Sequence, residues 1–433
     1  MTVKEWLTER CREAGYADAA SDRPLPCGGT VVVRKGAARG LKAGGAWIYD
    51  NEIDHEEGAP KSGQIVKILD FDGYVLGYGC FNAASKIRVR LLSRYAKEGI
   101  TPAFLRERVR DAWRLRKDVL GPDRTCCRLI FGEADFLPGL TIDLFSDVLV
   151  MESLALGTDR LKERILLDLV EILEEDGIVI RGIYERSDAK VRLLEGMERV
   201  KGYVGPAFDT LVPITENGIR YLVDVKDGQK TGFFLDQKYN RRAVGELVKN
   251  MASHGRISVL DCFTHTGSFG LNAALAGASH VLSVDASETA IAMARKHAAL
   301  NGPDKVIEYC VADVFELLPK LEEQGVRYDL VILDPPAFTK SRQATKGAVR
   351  GYREINLRGM KLVKDGGFLA TCSCSHFMEE ALLKKTLAEA AKGAGKRLRQ
   401  IRFGTQAPDH PILWGDEESY YLKFFMFQIL RER

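Results

Sequence analysis

Four apolar segments in the second half of the chain each end in or next to an aspartate. They read "SVLDCF", "HVLSVD", "EYCVAD" and "VILDPP", and the aspartates are Asp261, Asp285, Asp313 and Asp334. Helix-patterned segments separate them, which is typical of parallel strands that are buried on both faces of a sheet. Because ligands bind at the carboxyl ends of such strands, we expect these side chains to lie along one binding edge.

The first strand continues into "LDCFTHTGSFG", a turn that reaches a helix at Gly267. The turn lacks the full G-x-G-x-x-G spacing, which disfavours an NAD site. Asp261 suits a positively charged ligand group, Asp285 suits ribose hydroxyls, and Asp313 lies within reach of an adenine amine. For each aspartate alone, a helix cap is the alternative. A ligand that combines an ammonium group, a ribose and an adenine is S-adenosylmethionine.

A rigid turn and a pair of cysteines follow at the next two strands. Two prolines fix the backbone after Asp334, which could hold a nucleobase by its polar edge. The run "FLATCSCSHFM" places Cys372 and Cys374 on one face of a strand, with Cys374 at the same edge as Asp334. A thiolate that adds to carbon 6 of cytosine makes carbon 5 nucleophilic. We therefore predict that Cys374 is the nucleophile and that Cys372 packs in the core.

Composition sets broad limits on the chain. Its 433 residues indicate two or three domains. The nine cysteines are scattered, without a CxxC pair or zinc spacing, which favours a reducing compartment and no metal site. No apolar run approaches the roughly 20 residues that span a membrane, and the first residues show no signal pattern. We expect a cytoplasmic protein with no membrane partner.

Changes in pattern along the chain predict four segments. Residues 1–28 read as a helix and linker, and 29–98 as a small β-barrel-like module. Residues 99–215 read as an α+β module, and 216–433 alternate between strand and helix. The last segment is α/β and Rossmann-like.

A stretch rich in basic residues crosses the boundary between the second and third segments. Residues 86–118 contain eleven basic and four acidic side chains, a net charge of +7. This pattern predicts a phosphate-binding surface that includes Arg88 and Arg90, and the alternative is an ordinary solvated helix face.

The chain resembles the class I ribosomal RNA large-subunit methyltransferase family, of the type that makes 5-methylcytosine in 23S ribosomal RNA. The resemblance spans about residues 30–430. It is carried by "GEADFLPGLTID", "DVKDGQKTGFFLDQKYNRR", "FTHTGSFGLNAALAGA", "LDPPAFTKS", "CSCSHFM" and "APDHP". It implies a PUA-type RNA-binding domain, a central α+β domain and a seven-stranded methyltransferase domain, with S-adenosylmethionine as cofactor and 23S ribosomal RNA as partner. A homodimer stays open.

The resemblance also implies roles for residues that the strand pattern does not single out. Lys230 and Gln237 would border the cofactor, and the glycine turn would present the residues Phe263, Thr264 and Gly267 as a wall. Cys374 follows Gly367 by seven residues, the offset of the catalytic cysteine in other RNA cytosine-5 methyltransferases.

Two departures from the family pattern are visible, and two other functions stay open. The segment "GGAWIYD" lacks the usual His-Pro, and "LDPPAF" lacks a cysteine, so the base that removes the carbon 5 proton is not identified. One alternative is a purine-directed ribosomal RNA methyltransferase without a covalent intermediate. The other is a PUA-type RNA-binding assembly factor with a vestigial cofactor pocket.

Overall fold

The computed structural model describes residues 1–16, 18–96, 98–339 and 341–431. The chain divides into two compact units. The first comprises Met1–Ile214, Val223–Leu235 and Pro408–Ser419, and the second comprises Thr215–Leu222, Asp236–Ala407 and Tyr420–Arg433. All nine cysteines are free thiols. Among the described residues, no helix combines the length and the apolar character needed to cross a membrane.

The first unit begins with a short amphipathic helix, α1, over Val3–Glu13. Thr2 caps it, because its hydroxyl accepts a hydrogen bond from the Glu5 backbone and the Glu5 carboxylate accepts one from the Thr2 backbone. The helix buries Val3, Leu7 and Cys11, and it packs against the helix over Leu156–Glu175.

A six-stranded sheet follows and forms the predicted small β module. Its strands are β1 (Cys27–Val33), β2 (Trp47–Tyr49), β3 (Ile53–Glu57), β4 (Ile65–Leu69), β5 (Val75–Phe81) and β6 (Ile87–Ser93), with a short helix α2 (Ala38–Lys42). The order is β2-β6-β5-β4-β1-β3, and every pair is antiparallel except β1 with β4. Valine, isoleucine, leucine and phenylalanine side chains fill its core.

A second, five-stranded sheet lies in the predicted α+β segment. The elements are α3 (Pro102–Leu120), β7 (Cys126–Phe131), β8 (Leu140–Phe145), β9 (Val148–Ser153), α4 (Leu156–Glu175), β10 (Gly182–Ser187) and β11 (Val200–Tyr203). The order is β11-β10-β9-β8-β7, and α3 packs against α4. A two-stranded sheet, β12 (Leu211–Glu216) with β13 (Ile219–Asp224), comes next.

The second unit is a seven-stranded sheet with helices between its strands, so the predicted α/β class is confirmed. The strands are β14 (Ser258–Cys262), β15 (His280–Asp285), β16 (Ile307–Val311), β17 (Tyr328–Leu333), β18 (Val363–Ser373), β19 (Arg397–Gly404) and β20 (Lys423–Leu430). The helices are α5 (Lys238–Ala252), α6 (Ser268–Leu275), α7 (Glu288–Asn301), α8 (Val314–Glu323), α9 (Thr345–Leu362) and α10 (Glu380–Ala394).

The strand order of this sheet creates a binding crevice. It runs β16-β15-β14-β17-β18-β20-β19, with the first five strands parallel and β20 antiparallel to both neighbours. The direction of chain progression reverses between β14 and β17. In open parallel sheets, ligands bind outside the carboxyl ends of the strands at such a reversal.

Candidate active site

The turn after β14 is wound tightly enough to require glycine at one position. Phe263, His265 and Gly267 all have positive φ angles, of 61°, 50° and 82°. A Cβ atom on Gly267 would lie 2.8 Å from the Cβ atom of Ala294 in helix α7, closer than packed carbon atoms approach. The backbone of Thr264 donates a 2.9 Å hydrogen bond to the Val284 carbonyl oxygen, which ties the turn to β15.

Asp261 lies beneath this turn and is completely buried. Its Oδ2 atom accepts hydrogen bonds from the Thr264 hydroxyl and, at 2.8 Å, from the Gly270 backbone. Its Oδ1 atom has no hydrogen-bond partner in the described part of the chain. Burial raises the pKa of Asp261 to about 7. The residue therefore anchors the turn and keeps an unsatisfied acceptor, which a cationic ligand group would complement.

Asp285 closes the other side of the turn. It is the last residue of β15, where its two oxygens accept hydrogen bonds from the backbones of His265 at 2.8 Å and Ser287 at 2.9 Å. Asp313 instead caps helix α8 by accepting a 2.8 Å hydrogen bond from the Phe315 backbone, and it is exposed. The helix-cap alternative thus holds for Asp313, and its contact with an adenine stays a prediction.

Asp334 follows β17 and is held by two side chains. The Gln237 amide donates a 3.0 Å hydrogen bond to Oδ1, and the Cys372 thiol donates to the same carboxylate. Burial raises the pKa of Asp334 to about 7, and the negative charge of Asp236 acts in the same direction. An appreciable fraction of Asp334 is therefore protonated near neutral pH, so it can donate a hydrogen bond as well as accept one.

The two cysteines occupy different environments. Cys372 is fully buried, and burial raises the pKa of its thiol well above the usual value. Its contact with Asp334 was not part of the sequence interpretation, which gave Cys372 a packing role. Cys374 is the first residue beyond β18 and is partly exposed, with its sulfur 3.9 Å from the Pro335 carbonyl oxygen. Only the second thiol is open to a ligand at the strand edge.

Hydrogen bonds on both sides hold the backbone around Cys374. The Ser373 hydroxyl donates to the Tyr352 hydroxyl at 3.0 Å, and the Ser375 hydroxyl donates to the Thr339 carbonyl oxygen at 3.0 Å. The latter bond joins the cysteine segment to the loop after the two prolines. Lys340, also in the "LDPPAFTKS" motif, lies outside the described residues. The thiol therefore projects from a fixed position.

Lys230 is placed differently from the other predicted cofactor residues. It belongs to the first compact unit, whereas Gln237 and the strand-end residues belong to the second. It is exposed with a φ of 51°, and its ammonium nitrogen lies 5.4 Å from the centre of the Phe234 ring. Its role beside a cofactor stays a prediction.

The two arginines predicted to contact RNA differ in how their charges are paired. Arg90 forms ion pairs with Glu133 at 3.3 Å and Glu195 at 3.0 Å, and it stacks on the Trp47 ring. Arg88 donates hydrogen bonds to backbone carbonyl oxygens and has no carboxylate partner among the described residues. The charge of Arg90 is therefore paired within the first compact unit, and contact of Arg88 and Arg90 with RNA stays a prediction.

The helical part of the basic segment carries less unpaired charge than its composition indicates. Carboxylates distant in sequence neutralise it: Arg106 pairs with Asp168, Glu171 and Glu175, Arg110 with Glu175, Arg116 with Asp135, and Lys117 with Asp176. Lys97 lies outside the described residues. Packing against α4 thus pairs part of the basic charge on α3, and contact between the basic segment and RNA phosphates stays a prediction.

Comparisons with known proteins identify two parts of the chain. Residues 198–408 match the family described as S-adenosylmethionine-dependent methyltransferase. Residues 31–94 match the PUA-like domain. The second match coincides with the six-stranded sheet.

Curated relatives cover nearly the whole chain. Ribosomal RNA large subunit methyltransferase I of Alteromonas mediterranea is 37% identical over 401 residues, which is 92% of this chain and 98% of that protein. The proteins of the same name from Vibrio vulnificus and Escherichia coli O139:H28 are 37% and 36% identical, and each match spans 92% of this chain and 99% of that protein. The chain belongs to the ribosomal RNA large subunit methyltransferase I family. The resemblance of its motifs to a ribosomal RNA large-subunit methyltransferase family is confirmed.

Solved structures show the same fold. The crystal structure of SMU.776, a methyltransferase complexed with SAH, superposes with a TM-score of 0.77 at 22% identity, covering 92% of this chain and 99% of that one. A methyltransferase from Streptococcus mutans superposes with a TM-score of 0.76 at the same identity and coverage. The cofactor of this chain is S-adenosylmethionine. The unsatisfied acceptor of Asp261, the glycine turn at Gly267 and the carboxylate of Asp285 fit such a ligand.

Proposed function

We propose that this chain methylates carbon 5 of a cytosine in 23S ribosomal RNA through a covalent adduct with Cys374. The names of the relatives support ribosomal RNA of the large subunit as the substrate. The observation that carries the choice of cytosine is the partly exposed thiol of Cys374, whose sulfur lies 3.9 Å from the carbonyl oxygen of Pro335. A nucleophile beside the Asp334 turn suits carbon 5 chemistry, whereas methylation of a purine nitrogen needs none.

Asp334 holds and activates the base in this proposal. With a pKa raised to about 7, its carboxyl group can donate a proton to N3 of cytosine. The hydrogen bond from Gln237 fixes Oδ1, which leaves the remaining carboxyl positions for the base. A proton on N3 makes carbon 6 more electrophilic, which promotes addition of the thiolate to carbon 6.

Cys374 then forms and breaks one bond. Its thiolate adds to carbon 6, and the electron pair of the carbon 5–carbon 6 double bond shifts through carbon 4 towards N3. N3 takes the Asp334 proton. When bound, S-adenosylmethionine supplies an electrophilic methyl group, which carbon 5 accepts. N3 returns its proton to Asp334 and the carbon 5 proton leaves to a solvent base. The carbon 5–carbon 6 double bond then re-forms, and the carbon–sulfur bond breaks to release the thiolate.

The product nucleoside tests this function. Purified protein is incubated with a 23S ribosomal RNA transcript and S-adenosylmethionine labelled in the methyl group. Mass spectrometry of the nuclease digest is then expected to find the label on carbon 5 of cytidine with wild-type protein and not with Cys374→Ala. Label on guanosine or adenosine would support the purine-directed alternative, and no label with wild-type protein would favour the assembly factor.

Two further expectations belong to this proposal. A protein that modifies ribosomal RNA meets its substrate in the cytoplasm, in agreement with the expected localisation. A homodimer stays a prediction, which the mass of the protein in solution tests directly.

A further inference from the structure

A buried lysine lies next to the segment that carries Cys374. Lys423 is the first residue of β20, where it pairs with Ser373, and only 1% of its surface is exposed. Its Nζ atom donates hydrogen bonds to the carbonyl oxygens of Ser375, at 2.7 Å, and Tyr421, at 2.9 Å. Since Ser373 and Ser375 flank Cys374, the antiparallel strand brings an amino group to the backbone around the thiol.

The ammonium charge of Lys423 has no carboxylate ion-pair partner among the described residues. The centre of the Tyr420 ring lies 5.7 Å from Nζ. Glu380, at the start of α10, pairs instead with Lys384 and accepts a hydrogen bond from the Tyr420 hydroxyl. Burying a cation without a counter-ion costs free energy. The two carbonyl oxygens do not require the charge, because the neutral amine of Lys423 could donate to both.

The pKa of Lys423 responds to several charged groups around its ammonium group. Burial lowers the pKa of Lys423 to about 8. Negative charge on Cys374 acts in the opposite direction, followed by the carboxylates of Glu380 and Glu379. An ionised Cys374 thus comes first among the groups that favour the charged form of Lys423. On the other side, the Tyr352 hydroxyl also faces the thiol, and burial raises its pKa.

We propose that Lys423 is a positioning residue whose ammonium group stabilises the thiolate of Cys374. The inference rests on the proposed function, in which that thiolate attacks the base. The thiol proton leaves to solvent and the ammonium keeps its own protons, so no bond to Lys423 is made or broken. The same charge favours the thiolate as a leaving group when the carbon–sulfur bond breaks.

Alkylation of Cys374 by iodoacetamide tests this role in the full chain without RNA. Mass spectrometry follows the peptide, with fragmentation that separates Cys372 from Cys374. Lys423→Met is expected to alkylate about tenfold more slowly at pH 7, which corresponds to a shift of roughly one pH unit in the rate profile. Lys423→Arg is expected to stay near wild type, because it keeps the charge.

Lys385→Met is the matched control, because it removes an exposed lysine from helix α10 and leaves the Lys384–Glu380 ion pair intact. It is expected to leave the alkylation profile unchanged. Equal rates for Lys423→Met and wild type at every pH would overturn the proposal, as would equally slow rates for the Met and Arg variants when both are folded.

A second measurement covers the case in which Lys423→Met does not fold. Thiolate absorbance at 240 nm is titrated in wild-type protein, with Cys374→Ala as the blank. Ionisation below the value of about 8.5 for a free cysteine is expected, and ionisation at or above it would overturn the proposal. Since neither test uses RNA, a protein that passes both but leaves cytosine unmethylated would contradict the proposed function alone.

Discussion

The side chain of Gln237 connects helix α5 to the strand-end carboxylate of Asp334. Its amide nitrogen donates a 3.0 Å hydrogen bond to Oδ1, while its amide oxygen accepts a 2.7 Å hydrogen bond from Asn240. Because Asn240 fixes which end of the amide faces Asp334, Gln237 can only donate to the carboxylate. The bond stabilises the charged form of Asp334 and sets the oxygen that faces a bound base.

Gln237→Leu is expected to lower the maximal rate of methylation by about tenfold, because a hydrogen bond worth about 1–1.5 kcal/mol no longer holds the Asp334 carboxyl in place beside the base. The loss raises the pKa of Asp334, because the hydrogen bond favours its charged form. The proposed mechanism uses the protonated carboxyl, so the alkaline limb of the rate profile moves to higher pH. Gln324→Leu, on an exposed helix end, is the control. A slower enzyme with an unmoved alkaline limb would argue against proton donation by Asp334.

The contribution of the buried residue Asp261 to the stability of the cofactor-free protein is expected to fall as pH rises from about 4 to 7. Its folded-state pKa, raised to about 7, lies above the unfolded value, so the folded state binds the proton more tightly and loses that advantage on ionisation. The upper limit of this loss in the free energy of unfolding is about 4 kcal/mol. Denaturant unfolding of wild type and Asp261→Asn measures this. The free energy of unfolding of wild type relative to the variant should fall between about pH 4 and 7 and stay constant outside this window. A constant difference from pH 4 to 8 would contradict the raised pKa.

Asp285→Ala is expected to weaken S-adenosylmethionine binding by about ten- to hundredfold. The carboxylate orders the turn through the backbone of His265, and its loss leaves ligand hydroxyls unpaired, at a cost on the order of 1–3 kcal/mol. Isothermal titration gives the dissociation constant, and Asp304→Ala removes an exposed aspartate as the control. Equal affinity in wild type and Asp285→Ala would exclude Asp285 from the cofactor site.

Arg88 and Arg90 are expected to behave differently when changed to glutamine. Arg90→Gln should destabilise the protein by about 2 kcal/mol, because Glu133 and Glu195 lose a partly buried ion-pair partner, and should leave the salt dependence of RNA binding unchanged. Arg88→Gln should leave stability nearly unchanged and reduce the slope of log affinity against log salt by about one. Filter binding at several salt concentrations distinguishes the two. A reduced slope of log affinity against log salt for Arg90→Gln, with unchanged stability, would show that Arg90 contacts RNA.

The α/β fold and the strand-end residues were predictable, because buried parallel strands are continuous apolar runs and their ends are marked by polar residues. The ion pairs between the basic segment and distant carboxylates were not predictable from the sequence. Arg106 meets Asp168 and Glu175 only because α3 packs against α4, some 60 residues later in the chain. Composition counts charges within a window and cannot see partners brought there by tertiary packing.

Two details near the cysteines also needed the structure. The register of antiparallel β20 places Lys423 opposite Ser373, a pairing that no local pattern encodes. Cys372 was predicted to be buried, and it is, but the neighbouring strand turns its thiol onto Asp334.

The central claim is that Cys374 bonds covalently to a cytosine, and one trapping measurement tests it most directly. With 5-fluorocytosine at the target position of the RNA, carbon 5 cannot lose its substituent as a proton, so the protein–RNA adduct should accumulate and survive denaturing electrophoresis. Wild type and Cys372→Ala are expected to form the adduct, the latter more slowly because Asp334 loses a hydrogen bond, and Cys374→Ala is expected to form none. An adduct with Cys374→Ala, or normal methylation of unmodified RNA by that variant, would contradict the covalent mechanism.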